Sequence, residues 1–297
     1  MRALTTLRLG AAASRALPLD TLAALADRAG TAVGPALMPD KADQLNRNLA
    51  RVRPNGPVDE LTRRGFGSYG RYWVESFRIP GLGARRIDRG FSVEGYGHVA
   101  RVLASGRAPI LVLPHLGGWE WAAAWLARVM GVGVTAVVER LEPEEVYDWF
   151  VGLRSAYGVN VVPLGPRAMV ELGAAAKRQD VICLLADRDI GGNGTDVEFF
   201  GETTSLPVGP ALLARRTGCP LLPTAVYFRG RQRSGVVTAP IEPGEGRGRT
   251  ENERLTRAVT DRLEHLVSAA PEQWHLLEPN WPADRAEAGD GPETDPS

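Results

Sequence analysis

The sequence predicts an α/β fold, with a mostly parallel central sheet flanked by helices and a helical segment at the N-terminus. From residue 106 to residue 282, short apolar runs alternate with segments of helical periodicity, which is the pattern of βαβ units. The first 105 residues show helical periodicity without such apolar runs. A chain of 297 residues with 44% hydrophobic residues is long enough for one large core. We therefore expect a single domain over residues 1–282, mainly helical over 1–105 and α/β over 106–282.

The first 105 residues are predicted to form helices. Helical spacing covers residues 40–52 and 59–77, and a further short helix is predicted over residues 93–104. The stretch Gly65-Phe-Gly-Ser-Tyr-Gly70 matches the G-x-G-x-x-G pattern of dinucleotide sites. Because it lies inside a helical pattern with no strand before it, we do not expect a dinucleotide site there.

The following residues are predicted to alternate between strands and helices. Strands are expected at residues 110–113, 133–138, 159–162, 181–186, 221–228 and 236–239. Helices are expected at residues 119–130, 144–157, 166–178, 207–216 and 251–269. The last of these helices is predicted to begin with a capping box formed by Thr250 and Glu253. After Trp281 the chain is rich in Pro, Asp, Glu and Gly, which predicts a disordered tail over residues 283–297.

Charge and cysteine content argue against several classes of protein. The formal net charge is +0, so the composition favours no nucleic-acid partner. The two cysteines, Cys183 and Cys219, stand in apolar runs and form no C-x-x-C, which argues against a disulfide framework and a zinc site. The four histidines show no metal-ligand spacing. We therefore expect neither a metal nor a cofactor.

The N-terminal fifteen residues are apolar enough to suggest a signal peptide, but Arg8 and Arg15 interrupt the apolar stretch. The spacing of leucines and alanines up to Leu25 instead predicts an amphipathic helix, with a break at Pro18. Two interpretations stay open. The helix either lies on an anionic membrane surface or packs against the domain.

A histidine and a glutamate are the first candidates for chemistry. The apolar run at residues 110–113 is followed by Pro114 and His115, and Glu120 comes five positions after the histidine. Residues five apart do not share a face of a continuous helix, but Gly117-Gly118 permits the chain to turn between them. We interpret His115 as a general base and Glu120 as its acidic partner, suited to removing a proton from a hydroxyl that attacks an acyl group. The alternative is a surface histidine beside a glutamate that favours the helix dipole.

A second charged cluster, Asp187-Arg188-Asp189, ends the apolar run at residues 181–186 and is followed by glycines. If the strands are parallel, this cluster lies on the same rim of the sheet as His115. We interpret the three side chains as groups that orient the base or bind substrate. The alternative is a turn at the end of a strand, whose charges neutralise one another.

Two further residues are predicted to bind substrate. Glu139 follows the predicted strand at residues 133–138, and Arg154 lies near the end of the predicted helix at residues 144–157. Arg154 is interpreted as a partner of a phosphate or an oxyanion, or else as a cation that favours the helix C-terminus. Donors to the oxyanion of an acyl transfer are expected from the backbone near Gly117-Gly118 or from Arg154.

Several stretches match a known family, in order and over nearly the whole chain. They are Tyr69-Gly-Arg-Tyr-Trp-Val-Glu-Ser-Phe-Arg-Ile-Pro80, Leu113-Pro-His115-Leu-Gly-Gly-Trp-Glu120, Val138-Glu-Arg-Leu141, Arg154 with Gly158, Leu185-Ala-Asp187-Arg-Asp189, Glu198-Phe-Phe-Gly-Glu202 with Pro207-Val-Gly-Pro210, and Gln273-Trp274-His-Leu-Leu-Glu-Pro-Asn-Trp281. On these residues the chain resembles the bacterial lipid acyltransferases of the lipid A lauroyl/myristoyl type. It resembles more closely their actinobacterial members that acylate phosphatidylinositol mannosides.

The resemblance implies a glycerolipid-acyltransferase-like fold and an H-x4-D/E mechanism, with His115 as the base and Glu120 as its acidic partner. In the mannoside enzymes a second acid contacts the histidine, and Asp187 stands at that position here. The resemblance therefore leaves open which carboxylate orients His115. Glu202, in another matching stretch, is taken with Arg188 and Asp189 as a substrate-binding candidate.

The resemblance further implies acyl-CoA as donor and co-substrate, a glycolipid acceptor and a hydrophobic acyl groove. It implies peripheral attachment to the cytoplasmic face of the plasma membrane. The expected reaction is transfer of a palmitoyl group from its CoA thioester to a mannose hydroxyl of a phosphatidylinositol mannoside. The alternatives are an acyltransferase for another glycolipid or glycerol phosphate, an acyl-CoA thioesterase, and a lipid-binding protein without catalysis.

Overall fold

The structure, a computed structural model, describes residues 17–140, 142–246 and 248–287. Its N-terminal part is helical, as predicted. The helices are α1 (Leu19–Leu37), α2 (Pro39–Val52), α3 (Val58–Arg78) and the short α4 (Ala84–Arg89), with a 3-10 turn at Ile79–Gly81. Residues 1–16, which hold most of the predicted amphipathic segment, lie outside the described residues.

Strands and helices alternate in the rest of the chain. In chain order they are β1 (Phe91–Glu94), α5 (Tyr96–Ala104), β2 (Ile110–Leu113), α6 (Trp119–Arg128), β3 (Val134–Val138), α7 (Glu144–Ser155), β4 (Val159–Pro163), α8 (Ala168–Lys177), β5 (Val181–Leu185), β6 (Thr195–Phe199), β7 (Glu202–Leu206), α9 (Gly209–Thr217), β8 (Leu221–Arg229), β9 (Gln232–Val237), α10 (Gly248–Ser268), a 3-10 turn (Pro271–Gln273) and α11 (Pro282–Glu287).

The central sheet confirms the predicted fold class. Among the described residues it has seven strands, in the order β1-β9-β8-β2-β5-β3-β4. The last five strands in this order are mutually parallel, and only β1 and β9 run the opposite way. The carboxyl ends of β2, β3, β4, β5 and β8 therefore meet at one rim, which we call the active rim, where open α/β sheets place their sites.

Both faces of the sheet are covered, which explains why its central strands are continuously apolar. All four residues of β2 are buried. Ile110 and Val112 belong to the core on one face, while Leu111 and Leu113 belong to the core on the other, as the two-residue period of a strand requires. The site at the active rim thus stands on a sheet that is packed on both sides.

The G-x-G-x-x-G stretch lies within α3, so the expectation that it is part of a helix is confirmed. Its glycines allow α1 to pack closely. A Cβ on Gly67 would lie 2.2 Å from Thr31 Oγ1 and 2.6 Å from the Asp27 carbonyl, and one on Gly70 would lie 3.0 Å from the Ala26 carbonyl. Since α3 also carries side chains that reach the active rim, this contact fixes α1 relative to the site.

Three strands were missed in the sequence. Val93 and Glu94 belong to β1 instead of the predicted helix at residues 93–104. The other two are β6 and β7, which form a two-stranded antiparallel hairpin. In β6, buried Val197 and Phe199 alternate with exposed side chains, a period-2 pattern that does predict a strand. The turn between the strands is short, with positive φ at Phe200 and Gly201, as a two-residue hairpin turn requires.

Three predicted boundaries are wrong. The strand expected at residues 236–239 is β9, which begins four residues earlier and ends at Val237. The capping box is not formed, because α10 begins at Gly248 and Thr250 is already helical. The tail was expected to begin at residue 283, but Pro282–Glu287 is helical. Asp284 in this helix is buried and accepts hydrogen bonds from Gln44 at 3.1 Å and Arg51 Nη1 at 2.8 Å. Residues 288–297 lie outside the described residues. Within the described ranges, none of the helices is both long and apolar enough to cross a bilayer.

Candidate active site

His115 lies at the active rim because β2 ends two residues before it and the chain then turns sharply into α6. Gly117 makes the turn with φ of +59°, and a Cβ there would lie 1.9 Å from the Val226 carbonyl of β8. Any other residue at this position would therefore be strained and would clash with the neighbouring strand. The predicted arrangement of strand, turn and helix around His115 is confirmed.

Asp187 is the carboxylate that holds His115. The distance from His115 Nδ1 to Asp187 Oδ1 is 2.6 Å, and the His115 backbone N–H donates to Asp187 Oδ2 at 2.8 Å. Because an ionised carboxylate only accepts, we assign the imidazole proton to Nδ1. The imidazole is 34% exposed and the carboxylate is fully buried. Nε2, the other ring nitrogen, is thus left as an acceptor for a substrate proton.

Sheet register explains this contact. Leu113 in β2 pairs with Leu185 in β5, and His115 and Asp187 each follow their leucine by two residues. Burial alone would raise the pKa of Asp187. The opposing charge of His115 and the hydrogen bonds from His115 and Trp274 outweigh burial and lower this pKa below its usual value. Asp187 is therefore ionised at neutral pH and able to stabilise a protonated imidazole.

Asp187 has further partners in the C-terminal segment, which we define as residues 273–281. Trp274 Nε1 donates to Asp187 Oδ2 at 2.7 Å, and Asn280 Nδ2 donates to the Asp187 backbone carbonyl at 3.0 Å. The backbone N–H of His275 donates to the His115 carbonyl at 2.7 Å. The sequence signalled this segment only as a matching stretch, without a role for its residues.

Glu120 does not hold the imidazole, which corrects its predicted role as the acidic partner of His115. Its Oε1 accepts from Arg154 Nη2 at 2.6 Å and from the Tyr72 hydroxyl at 3.2 Å. Its Oε2 accepts from the Tyr157 hydroxyl. Glu120 and Arg154 are both buried, so they form an ion pair that ties α6 to α7. The side chains of His115 and Glu120, five residues apart, therefore point in different directions.

The groups around Glu120 are held in fixed protonation states. Burial, followed by the charge of Glu120, raises the pKa of both Tyr72 and Tyr157, so both phenols remain donors. Burial alone would lower the pKa of Arg154, but Glu120 raises it above its usual value. Both phenols and the guanidinium therefore keep their protons at neutral pH and act as donors to Glu120.

His275 lies next to His115, whose carbonyl accepts a hydrogen bond from the His275 backbone N–H. Its Nε2 is 2.8 Å from Ser68 Oγ, and its ring contacts the rings of Tyr69 and Tyr72. Burial, followed by the charge of nearby His115, lowers the pKa of His275 to about 3. It is neutral at the pH at which His115 would act.

The other predicted substrate-binding residues have different surroundings. The carboxylate of Asp189 accepts hydrogen bonds from the backbone of Gly192 and Gly194 and from Ser205, so it stabilises its own loop. Glu202 is 52% exposed and pairs with Arg51 in α2, not with the residues around His115. Asp189 and Glu202 are therefore not among the residues that the structure brings together at His115.

Arg188 and Glu139 lie at the ends of strands at the active rim, as predicted. Arg188 directly follows Asp187, is partly buried and has no ion pair within the described part of the chain. Glu139 is partly buried and directly follows β3 at the active rim. The sequence therefore predicted the location of these two residues correctly, and their predicted role remains a prediction.

The oxyanion donors named from the sequence are already occupied. The backbone N–H of Gly117 donates to the Gln273 carbonyl at 2.9 Å, and that of Gly118 donates to the Val226 carbonyl at 3.1 Å. Arg154 directs Nε and Nη2 at Glu120. These bonds fix the turn after His115 and leave its two backbone N–H groups no free hydrogen for an oxyanion.

Comparison with known proteins adds to this geometry. A family model described as bacterial lipid A biosynthesis acyltransferase matches residues 5–282. The chain is 39% identical over 254 residues to the phosphatidylinositol mannoside acyltransferase of Mycobacterium tuberculosis, covering 83% of this chain and 79% of that protein. It is 38% identical over 248 residues to the enzyme of that description from Mycolicibacterium smegmatis, covering 82% and 80% of the two proteins.

Among solved structures, a 1-acyl-sn-glycerophosphate acyltransferase, PlsC, from Thermotoga maritima matches with a TM-score of 0.39 and 16% identity. The match covers 77% of this chain and 95% of that one. The family model spans most of the chain, including His115, Asp187 and the C-terminal segment. The chain belongs to the bacterial lipid A biosynthesis acyltransferase family.

Proposed function

We propose that this acyltransferase transfers a palmitoyl group from palmitoyl-CoA to a mannose hydroxyl of a phosphatidylinositol mannoside. The observation that carries the proposal is the His115–Asp187 pair, with its exposed imidazole at the active rim, in a chain 39% identical to an acyltransferase for that glycolipid. The donor and the chain length follow from the resemblance of the motifs alone.

In the proposed mechanism, His115 Nε2 takes the proton of the mannose hydroxyl as the oxygen attacks the thioester carbonyl. The tetrahedral intermediate then collapses, the C–S bond breaks, and the CoA sulfur leaves and takes from the imidazolium the proton that came from the mannose hydroxyl. Asp187 keeps the Nδ1 proton in place and stabilises the imidazolium, as the acid does in other histidine-based catalysis. The acceptor is activated directly, so the step needs no acyl-enzyme.

Arg188 is the residue that we assign to substrate phosphate. It lies next to Asp187, and within the described residues its guanidinium is not neutralised by a carboxylate. Arginine suits phosphate because its donors form a planar fork. Both substrates of the proposed reaction carry phosphate groups, and an effect of Arg188→Ala on the KM for only one of them would identify which phosphate it binds.

The proposed reaction is tested by measuring CoA release from palmitoyl-CoA with and without phosphatidylinositol mannosides. We expect release that depends on the glycolipid, with palmitate found on mannose by mass spectrometry. Release without any acceptor would identify a thioesterase, and release only with another glycolipid or glycerol phosphate would change the acceptor. No release under any of these conditions would refute the acyl-CoA donor.

We further propose that the protein attaches peripherally to the cytoplasmic face of the plasma membrane through α1. The outer face of this helix is exposed and mostly apolar, in a stripe of residues four apart: Thr21, Leu25, Ala29, Val33 and Leu37. Leu25 is 46% exposed and Leu37 is 74% exposed. The exposed arginine of the same helix, Arg28, suits an anionic lipid surface.

This attachment predicts that Leu25→Glu and Leu37→Glu together weaken binding to vesicles of anionic phospholipid at least tenfold, because each leucine buried in lipid contributes about 1.5–3 kcal/mol. Binding is measured by vesicle flotation. The matched control is Val170→Glu, which removes an apolar side chain that is 75% exposed on α8 and should leave binding unchanged. Equal binding by the unmodified protein, the Leu25→Glu/Leu37→Glu double variant and Val170→Glu would refute α1 as the membrane-binding helix.

A further inference from the structure

The Asp187 carboxylate has a third donor besides the two from His115. The indole Nε1 of Trp274 donates to Asp187 Oδ2 at 2.7 Å, on the oxygen that does not face the imidazole nitrogen. Trp274 is fully buried. We propose that Trp274 is a positioning residue, whose indole N–H fixes the rotation of the Asp187 carboxylate and determines how strongly this carboxylate stabilises protonated His115. The inference rests on the proposed role of His115 as the base.

The two oxygens of the Asp187 carboxylate accept hydrogen bonds from different donors. Oδ1 accepts from the imidazole, while Oδ2 accepts from the His115 backbone and from Trp274. Both donors on Oδ2 hold that oxygen away from the ring, so the carboxylate cannot rotate to exchange its oxygens. The indole bond is charge-assisted and takes up part of the negative charge that would otherwise face the imidazole.

The indole itself is held in place by the backbone. Trp274 pairs with Leu116 in an antiparallel bridge. On either side of this bridge, the Gly117 N–H donates to the Gln273 carbonyl at 2.9 Å and the His275 N–H donates to the His115 carbonyl at 2.7 Å. The chain around the base and the chain around Trp274 are thus joined directly, so the indole and the imidazole share one rigid frame.

Aromatic packing limits the remaining freedom of the indole. The ring of Trp274 packs edge-on against Phe199, tilted against Phe200 and edge-on against Trp281. Trp281 is equally buried in this cluster, but its Nε1 has no hydrogen-bond partner among the described residues. The two tryptophans therefore share this aromatic cluster, but only Trp274 donates to Asp187, whereas Trp281 lies under the guanidinium of Arg51, 4.3 Å from the ring centroid.

This difference supplies a matched pair of variants, Trp274→Phe and Trp281→Phe. Both replace a buried indole by a phenyl ring in the same cluster, but only Trp274→Phe removes a donor from Asp187. We expect Trp274→Phe to lower kcat about 10- to 100-fold, the equivalent of a lost charge-assisted hydrogen bond, because a carboxylate that is free to rotate no longer holds the imidazole in line for the proton transfer. We expect little change in KM. We expect Trp281→Phe to keep kcat within about threefold of the unmodified enzyme, since it removes no charge-assisted bond.

The pH dependence separates positioning from packing. A carboxylate that no longer shares its charge with the indole stabilises the imidazolium more strongly, and a general base must be unprotonated to act. The acid limb of the kcat/KM profile is therefore expected to move to higher pH in Trp274→Phe and to stay in place in Trp281→Phe. Loss of packing alone would leave the acid limb where it is in both variants.

An isostere guards against a simple failure to fold. Incorporation of β-(3-benzothienyl)alanine at position 274 replaces the ring N–H by sulfur and keeps the ring shape, so it should reproduce the loss of kcat and the moved acid limb. The proposal is overturned if this isostere, or a folded Trp274→Phe, matches Trp281→Phe in both measurements. If His115→Ala transferred the acyl group as fast as the unmodified enzyme, the proposed function itself would be refuted. That result differs from failure of the Trp274 proposal, so the two failures are distinguishable.

Discussion

Replacing His115 by alanine is expected to abolish most acyl transfer while leaving the protein folded. General base catalysis contributes about 10²- to 10⁴-fold to a rate, and His115 Nε2 is the exposed acceptor at the active rim. The fold should tolerate the change because the His115 backbone N–H and Trp274 continue to donate to Asp187. The measurement is kcat/KM for glycolipid-dependent CoA release, together with thermal unfolding.

His115→Asn makes this test sharper. The amide nitrogen of asparagine lies close to where Nδ1 stands, so it can still donate to Asp187, but no nitrogen remains at the Nε2 position. We expect His115→Asn to be as inactive as His115→Ala and at least as stable. His265→Ala is the control, because His265 is an exposed histidine on α10 and should keep full activity. Turnover near normal in His115→Asn would show that Nε2 is not the base.

The fold was predictable from the sequence wherever burial and periodicity agreed. The run at residues 110–113 is buried on both sides of the sheet, so four consecutive apolar residues gave its bounds correctly. β1 was missed because it has only four residues and lies between the end of α4 at Arg89 and Gly95, a glycine with positive φ. The hairpin of β6 and β7 was missed because one face of each strand is polar. Short strands of this kind have a polar composition similar to that of loops.

The sequence predicted where the site lies but not which side chains contact one another there. Local spacing joined His115 to Glu120, whereas the sheet joins His115 to Asp187, which is 72 residues away in the chain. That contact depends on β2 and β5 being neighbours in register, although they are not consecutive strands. Sequence spacing reports neighbours along the chain, and the register of a crossover is a tertiary property. The order of the strands was therefore needed to choose between the two acids.

The same reasoning explains why Trp274 and Asn280 were not recognised as parts of the site. They stand in a stretch that follows the last long helix, α10, and no local pattern links an indole or an amide to a carboxylate far earlier in the chain. Their importance arises only when the C-terminal segment returns to the active rim. A buried hydrogen-bond donor gains its role from the acceptor that it meets, and that acceptor is not visible in sequence spacing.

The roles of the two carboxylates are expected to separate cleanly in Asp187→Asn and Glu120→Gln. In Asp187→Asn, the amide oxygen should take the place of Oδ2, which faces two N–H donors. The amide nitrogen then faces His115 Nδ1 and forces the proton onto Nε2, so the base is lost with the wrong tautomer. We expect kcat to fall about 10⁴-fold, as in other histidine–aspartate pairs, with a small change in stability because the residues are isosteric.

Glu120→Gln should act on stability instead. It removes the negative charge next to buried Arg154, and breaking a buried ion pair from one side costs about 3–5 kcal/mol because the remaining charge is uncompensated. We expect the free energy of unfolding to fall by about that amount in denaturant titrations, with kcat of the folded protein kept within about tenfold, since Glu120 has no part in the proton transfer. Glu171→Gln, at an exposed position on α8, is the control for both measurements.

The opposite result would return the role of orienting acid to Glu120. A Glu120→Gln protein of normal stability with kcat reduced as far as in Asp187→Asn could not be explained by the ion pair with Arg154. Equal losses of activity with unequal losses of stability would mean that the buried pair transmits to the base through Tyr72, which contacts both Glu120 and the ring of His275. The double variant Glu120→Gln/Arg154→Met distinguishes these explanations. Replacing Arg154 by methionine removes the unpaired buried charge and should restore stability. Any loss of kcat that persists in the double variant is then an effect on catalysis and not on folding.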